Sequence, residues 1–373
     1  MTAYLDHAAT TPMRPEAVDA MVPFLRDHFG NPSGSHAMAR QAKKALEDAR
    51  EEVAACLGAR PGEVVFTGGG TEADNLAVLG RHAVRPGPVV CSAIEHHAVL
   101  HSCAASGDCR LAPVGSDGVL DVDALADLLD DDVTLVSVML ANNEVGTIQP
   151  LDEVATALHE RAPNAVFHTD AVQAFPWLDV ASLASGAGLV AVSAHKFGGP
   201  KGVGALAVRD GIKVAPIIHG GGQERDRRSG TYNVAGIAGM AAAMQATVAD
   251  RDATVSRVAA LRDRLADGLL ATVPGALETG DRRRKVAGNC HLSFDGVEAE
   301  ALLVLLDGAG ICASAGSACT SGAVEPSHVL TAMGVPSERA TGALRLSLGV
   351  TTTDADVDLA LEVVPPAVAR LRS

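Results

Sequence analysis

Ser193-Ala194-His195-Lys196 closes the apolar run Leu189-Val190-Ala191-Val192, and Lys196 is one of only six lysines in 373 residues. A solvated surface lysine is not expected at the end of a buried strand. Beside a hydroxyl and an imidazole, and followed by Gly198-Gly199-Pro200, its amine suits a Schiff base with a carbonyl cofactor such as pyridoxal 5'-phosphate (PLP). The competing reading is a strand-end lysine whose stem carries its charge to solvent. A second polar group, Asp170 in His168-Thr169-Asp170, also ends an apolar run. A carboxylate there can pair with a protonated pyridine nitrogen, or cap the following helix.

Thr67-Gly68-Gly69-Gly70-Thr71-Glu72 reads as a turn between a strand and a helix, so its amides and the Thr71 hydroxyl can hold a phosphate at the positive helix end. The turn lacks the lysine of a Walker loop and the G-x-G-x-x-G spacing of a dinucleotide fold. Glu95-His96-His97 and Asn142-Asn143-Glu144 fall at two more strand ends, where they can face a ring or a substrate carboxylate. Arg345 stands among apolar neighbours in Leu344-Arg345-Leu346-Ser347-Leu348 and needs an anion, supplied by an internal salt bridge or by a substrate. Cys319 lies in the small, polar run Ala315-Gly316-Ser317-Ala318-Cys319-Thr320-Ser321-Gly322. That setting suits a nucleophilic thiol that travels to its substrate, or an incidental exposed cysteine.

The elements that must position these groups follow from the apolar pattern. Strands are predicted at Val64-Phe66, Val89-Cys91, Val133-Leu140, Val166-His168, Leu189-Ser193 and Gly204-Val208, with helices at Glu72-Leu79, Ala98-Ala105, Val122-Leu129 and Leu151-Glu160 between them. Strands alternating with helices imply an α/β fold with a mostly parallel sheet, whose strand ends are the natural place for a site. A long alanine-rich helix from about Val234 to Leu270 is predicted to join this unit to a smaller α+β unit. The smaller unit contains Asn289-Phe294, Glu298-Asp307, Ser327-Met333, Ala343-Leu348 and Asp354-Leu371.

A net charge of −15 disfavours direct nucleic-acid binding and attraction to anionic lipid. No apolar run approaches the roughly 20 residues that span a bilayer. The start, Met1 to Asp6, has neither the basic nor the apolar region of an export signal, so a cytoplasmic enzyme is expected. The one basic run, Arg282-Arg283-Arg284-Lys285, reads as a solvated loop, with a docking patch for an acidic partner as the alternative. Seven cysteines show neither a paired framework nor C-x-x-C spacing, and no metal site is expected. Cys56, Cys91, Cys103, Cys109 and Cys290 sit in or beside apolar segments and read as buried thiols.

Taken together, these motifs resemble the NifS/IscS-like cysteine desulfurases, a group within the class V, fold-type I PLP-dependent transferases. The likeness runs from Tyr4-Leu5-Asp6-His7-Ala8-Ala9-Thr10-Thr11 through Gly30-Asn31-Pro32-Ser33, His195-Lys196-Phe197-Gly198-Gly199-Pro200 and Gly220-Gly221-Gly222-Gln223-Glu224-Arg225 to Ser327-His328-Val329-Leu330. It implies a large PLP-binding domain over residues 14–252, and a small domain of residues 1–13 and 253–373 that carries the cysteine loop.

By the resemblance, Lys196 would bind the cofactor covalently, Asp170 would face the pyridine nitrogen, Gln173 the phenolic oxygen, and His96 would stack on the ring. Gly70, Thr71, Ser193 and His195 would hold the phosphate, with Thr231 reaching that of the neighbouring subunit in a homodimer. Asn143 and Arg345 would bind the carboxylate of L-cysteine, and Cys319 would take its sulfur as a persulfide for an acceptor protein, iron–sulfur cluster assembly being the default destination. tRNA thiolation, DNA phosphorothioation, thio-metabolite synthesis or another class V reaction would use the same groups. The chain departs from the family at Gly68-Gly69-Gly70-Thr71-Glu72, where many relatives have Ser-Gly-Ala-Thr-Glu, and at Ala174-Phe175-Pro176-Trp177, where a Gly-Lys pair usually precedes the proline. The first change keeps the threonine and the amide donors, and the second concerns the local surface.

Overall fold

The computed structural model describes residues 2–315 and 326–373. Strand β1 (Ala3–Tyr4) is followed by helices α1 (Pro15–Arg26) and α2 (Ala37–Cys56), and then by the main alternation of the chain. That alternation comprises β2 (Val64–Thr67), α3 (Gly70–Val84), β3 (Val89–Ser92), α4 (His97–Ala105), β4 (Cys109–Ala112), α5 (Val122–Asp127) and β5 (Leu135–Ser137). It continues with α6 (Leu151–Arg161), β6 (Val166–Asp170), α7 (Val180–Leu183), β7 (Leu189–Ser193) and β8 (Gly204–Val208).

These strands form one seven-stranded sheet in the order β2-β8-β7-β6-β5-β3-β4. From β4 to β7 every pairing is parallel, and β8 alone runs antiparallel to both its neighbours. Every residue of β6 and β7 is buried, as expected where helices cover both faces of a parallel sheet. The parallel run brings the ends of β3, β5, β6 and β7 to one edge, just where the chain carries Glu95, Asn142, Asp170 and Ser193.

Helix α8 (Val234–Thr272) is a single 39-residue helix, about 58 Å long at 1.5 Å per residue. The Asn233 side chain starts it by accepting from the Gly236 amide at 3.0 Å. Its first half contributes Ile237, Met240 and Met244 to the core beneath the large sheet, and its second half gives Val258, Leu265 and Leu269 to a separate core. Around that second core lie β9 (Ala276–Glu278), β10 (Asn289–Phe294), α9 (Ala299–Gly308), β11 (Ile311–Cys312), α10 (His328–Ala332), α11 (Ser337–Ala340), β12 (Ala343–Ser347) and α12 (Asp354–Leu371). β12, β10 and β9 form an antiparallel sheet, and β1 pairs with β11. Ala3 and Leu5 thereby join the second core from the start of the chain.

The structure corrects several local expectations. Strand β4 was not foreseen, and the ladder predicted over Val133–Leu140 is confined to Leu135–Ser137. Cys91, Cys103 and Cys290 are buried as expected, whereas Cys56 and Cys109 are half-buried. The basic run is not simply a solvated loop: the Lys285 side chain is fully buried against Glu278, because the turn at Arg282–Arg284 aims it inward. Among the described residues, no helix is long and apolar enough to cross a membrane.

Candidate active site

The strand ends enclose a cavity of about 360 Å³ lined by Gly70, Thr71, Asp74, His96, Asn143, Glu144, Asp170, Gln173, Ser193, His195, Lys196 and Arg345. Lys196 sits on a single helical turn directly after β7, where its Nζ donates to the carbonyls of Ala8 and Ala9 at 2.6 and 2.9 Å. Burial, with the nearby Arg345 guanidinium, lowers its pKa to about 8 although Asp170 and Asp6 pull the other way. A substantial neutral fraction near physiological pH makes the amine a nucleophile and a base.

Asp170 is the last residue of β6, and its Oδ1 accepts from the Val172 amide at 2.8 Å. Burial raises its pKa to about 6 against the lowering effects of that amide and of Lys196. Two further carboxyl groups point to the same place. Burial pushes Asp74 on α3 and Glu95 beyond β3 well above the usual carboxylate range, with the charge of Asp170 adding to both. Glu95 accepts from the Met139 amide at 2.6 Å, while Asp74 Oδ1 has no hydrogen-bond partner. His168 lies 3.6 Å from Asp74 and bonds Ser137 through Nδ1 at 2.8 Å; burial holds its pKa at about 3, so the ring is neutral. Burial favours the protonated form of Asp74 and Glu95, which leaves Asp170, without an ion-pair partner among the described residues, as the group placed to take a cation.

The other end of the cavity is suited to an anion. α3 begins at Gly70, after Gly69 with φ 148°, so the first amides of a 15-residue helix open on the cavity edge beside Thr71, Ser193 and His195. A Cβ on Gly70 would meet a Val172 methyl at 2.8 Å and Ser193 Cβ at 3.3 Å. Glycine at the position where many relatives have alanine is therefore matched to the Val172 side chain. His195 is held by Thr10 at 3.2 Å, and its pKa falls to about 4 through burial and then the charges of Lys196 and Lys201.

His96 caps α4, its Nδ1 accepting from the Ala98 amide at 3.1 Å. That bond leaves the proton on Nε2. Desolvation by the packed walls, then the charge of Lys196, lowers its pKa to about 4, so the ring presents a neutral face. Gln173 follows β6, and its buried Oε1 has no hydrogen-bond partner. Arg345, on β12, resolves the two alternatives left by the sequence. It pairs with Asp6 at 3.0 Å and donates to the Asn143 carbonyl at 2.9 Å, yet it also lines the cavity with its Nε unpartnered.

These features fit PLP. The unpaired Asp170 suits a pyridinium, the Gln173 amide NH2 suits a ring oxygen, the glycine turn suits a phosphate and Lys196 suits an aldehyde. Thr231, by contrast, is exposed and lies outside the cavity lining. It follows a turn where Glu224, Arg225 and Asp226 have φ of 51°, 58° and 63°, a conformation held by two bonds of 2.9 and 2.8 Å from Arg50 to Glu224. Cys319 lies outside the described residues. Ser314 and His328, which flank that segment in sequence, both line the cavity. The sequence reading missed Asp74, His168 and His328. Asp74 stands among other polar residues in Thr71-Glu72-Ala73-Asp74-Asn75, so no local pattern singled it out.

The chain is similar in sequence and in fold to known proteins. The profile of the family described as aminotransferase class-V matches residues 3–360. An IscS-like cysteine desulfurase of Mycobacterium tuberculosis is 49% identical, over 99% of this chain and 97% of that protein. A solved NifS-like protein superposes with a TM-score of 0.93 at 36% identity, covering 99% of this chain and all of that one. A solved SspA in complex with cysteine gives a TM-score of 0.82 at 31% identity over 94% of this chain and 100% of that chain.

Proposed function

The chain belongs to the aminotransferase class-V family, and on that premise we propose that it is a PLP-dependent cysteine desulfurase. It converts L-cysteine to L-alanine, receives the sulfur as a persulfide on Cys319 and passes it to an acceptor protein, with iron–sulfur cluster assembly as its destination. The observation that carries this reading is the cavity itself: a lysine whose pKa is lowered to about 8, an Asp170 without an ion-pair partner among the described residues and a helix-end anion cradle, in a fold shared with desulfurases.

Lys196 would hold the cofactor, Asp170 its ring nitrogen, Gln173 its phenolic oxygen and His96 its face, while Gly70, Thr71, Ser193 and His195 would hold its phosphate. The bound cofactor supplies an electron sink conjugated to the substrate Cα. Residues of the chain do the rest. Arg345, with Asn143, would fix the substrate carboxylate at the cavity wall that both residues line. The Lys196 amine takes the Cα proton and returns it. The Cys319 thiolate forms a bond to the substrate sulfur as the Cβ–S bond breaks, and Cβ gains a proton. Cysteine plus the Cys319 thiol thus become alanine plus a persulfide, with no external oxidant.

The division into residues 14–252 and residues 1–13 with 253–373 belongs to the same proposal, as does a homodimer in which the exposed Thr231 completes the partner's phosphate site. Holoenzyme given L-cysteine and a reductant should release sulfide and alanine in equal amounts, and Cys319→Ala should release neither. Turnover untouched by that substitution would move the chain to another class V reaction.

A further inference from the structure

Three cysteines outside the cavity lining converge. Cys91 on β3 and Cys109 on β4 lie on one face of the sheet, because β3 and β4 pair in parallel with Val89 opposite Cys109. Helix α4 packs on that face and brings in Cys103. The Sγ atoms of Cys91 and Cys109 are 3.8 Å apart, and all three sulfurs lie within 4.8 Å of one another. No histidine or carboxylate joins the group among the described residues. Its surroundings, including Leu76, Val89, Val99 and Leu135, are apolar.

From this geometry we propose that Cys91, Cys103 and Cys109 form a trigonal site for a thiophilic monovalent ion, Cu(I). A metal–sulfur bond of about 2.3 Å sets the edge of a planar three-sulfur triangle near 4.0 Å. Small side-chain rotations bring the present triangle to that size. Three-sulfur ligation selects soft ions, and the cluster offers no fourth side-chain ligand to complete a closed tetrahedral zinc site. Half-buried Cys109, on the edge strand, gives the ion its way in and lets solvent screen the charge of the thiolates. Each bond replaces a thiol proton, so Cu(I) and three thiols give a three-thiolate complex and three released protons.

The test is anaerobic Cu(I) titration of the holoenzyme against a chromophoric Cu(I) chelator, in a Cys319→Ser background. One equivalent should bind, X-ray absorption should show three sulfurs and no nitrogen or oxygen in the first shell, and affinity should fall steeply as pH drops. Cys109→Ser should weaken binding by at least about 100-fold, beyond the loss expected for an outer-shell partner. Cys103→Ser should do the same, whereas replacement of the isolated buried Cys290 should not. Cys109→Ser in the otherwise unaltered chain should keep its alanine production, which shows that the variant folds. Equal Cu(I) affinity with and without Cys109, or a light-atom ligand in the shell, would overturn the assignment and leave three packed core thiols.

Discussion

Two lysines, half-buried Lys196 at the cavity and buried Lys285 just after the turn at Arg282–Arg284, sit in opposite kinds of surroundings. Lys285 is fully buried and pairs with Glu278 at 3.3 Å. Glu278 also receives Arg282 at 2.6 Å, and Arg282 reaches Asp267 at 2.6 Å, so this network closes on itself. Among the described residues Lys196 donates only to the carbonyls of Ala8 and Ala9, although Asp170 and Asp74 line the same cavity. Burial lowers the pKa of both lysines. Where every charge has its counterpart, the arrangement holds the fold together; where Asp170 stands without an ion-pair partner among the described residues, the protein is prepared for a ligand.

The widest separation between the two regions is expected from their lysines and acids in turn. Lys196→Ala should lower kcat by about 10²–10⁴-fold, the range lost with a positioned general base, while leaving the melting temperature of the cofactor-free protein nearly unchanged. Glu278→Gln should do the reverse. It strands a buried ammonium and should cost about 3 kcal/mol in denaturant unfolding with kcat preserved, and Lys285→Met in the same chain should recover most of that loss.

Asp170→Asn should weaken PLP binding by about 10–100-fold, as expected for a lost charge-assisted bond, without destabilising the cofactor-free fold. A fall in that stability would mean that Asp170 is paired rather than waiting for a cation. The pH profile gives the smallest effect. Lys196 must be neutral to take a proton, so kcat should rise with pH up to about 8 and fall by about tenfold for each unit below it. A profile flat across that range would show that the lysine is not the base.

Groups placed by a single strand end were legible in the sequence. An apolar run that stops at Ser193 or Asp170 announces both the strand and the polar residue at its edge, because a parallel sheet buries its strands and opens at their ends. Groups defined by convergence were not. Asp74 meets His168 only through the packing of α3 on β6, and the three cysteines meet only through the register of β3 and β4. β4 escaped notice because Arg110 interrupts a four-residue strand at the sheet edge. Lys285 was misread for a related reason: three arginines precede it, and only the turn reverses its direction. The role of Thr231 came from motif resemblance alone, whereas the small, polar run around Cys319 already suited a travelling thiol.

The most direct measurement is a single turnover without reductant, followed by digestion and mass analysis of the peptide that carries Cys319. The account predicts one added sulfur atom on Cys319 for each alanine formed, removed by a thiol reductant. Alanine formed in full with Cys319 unmodified would contradict it.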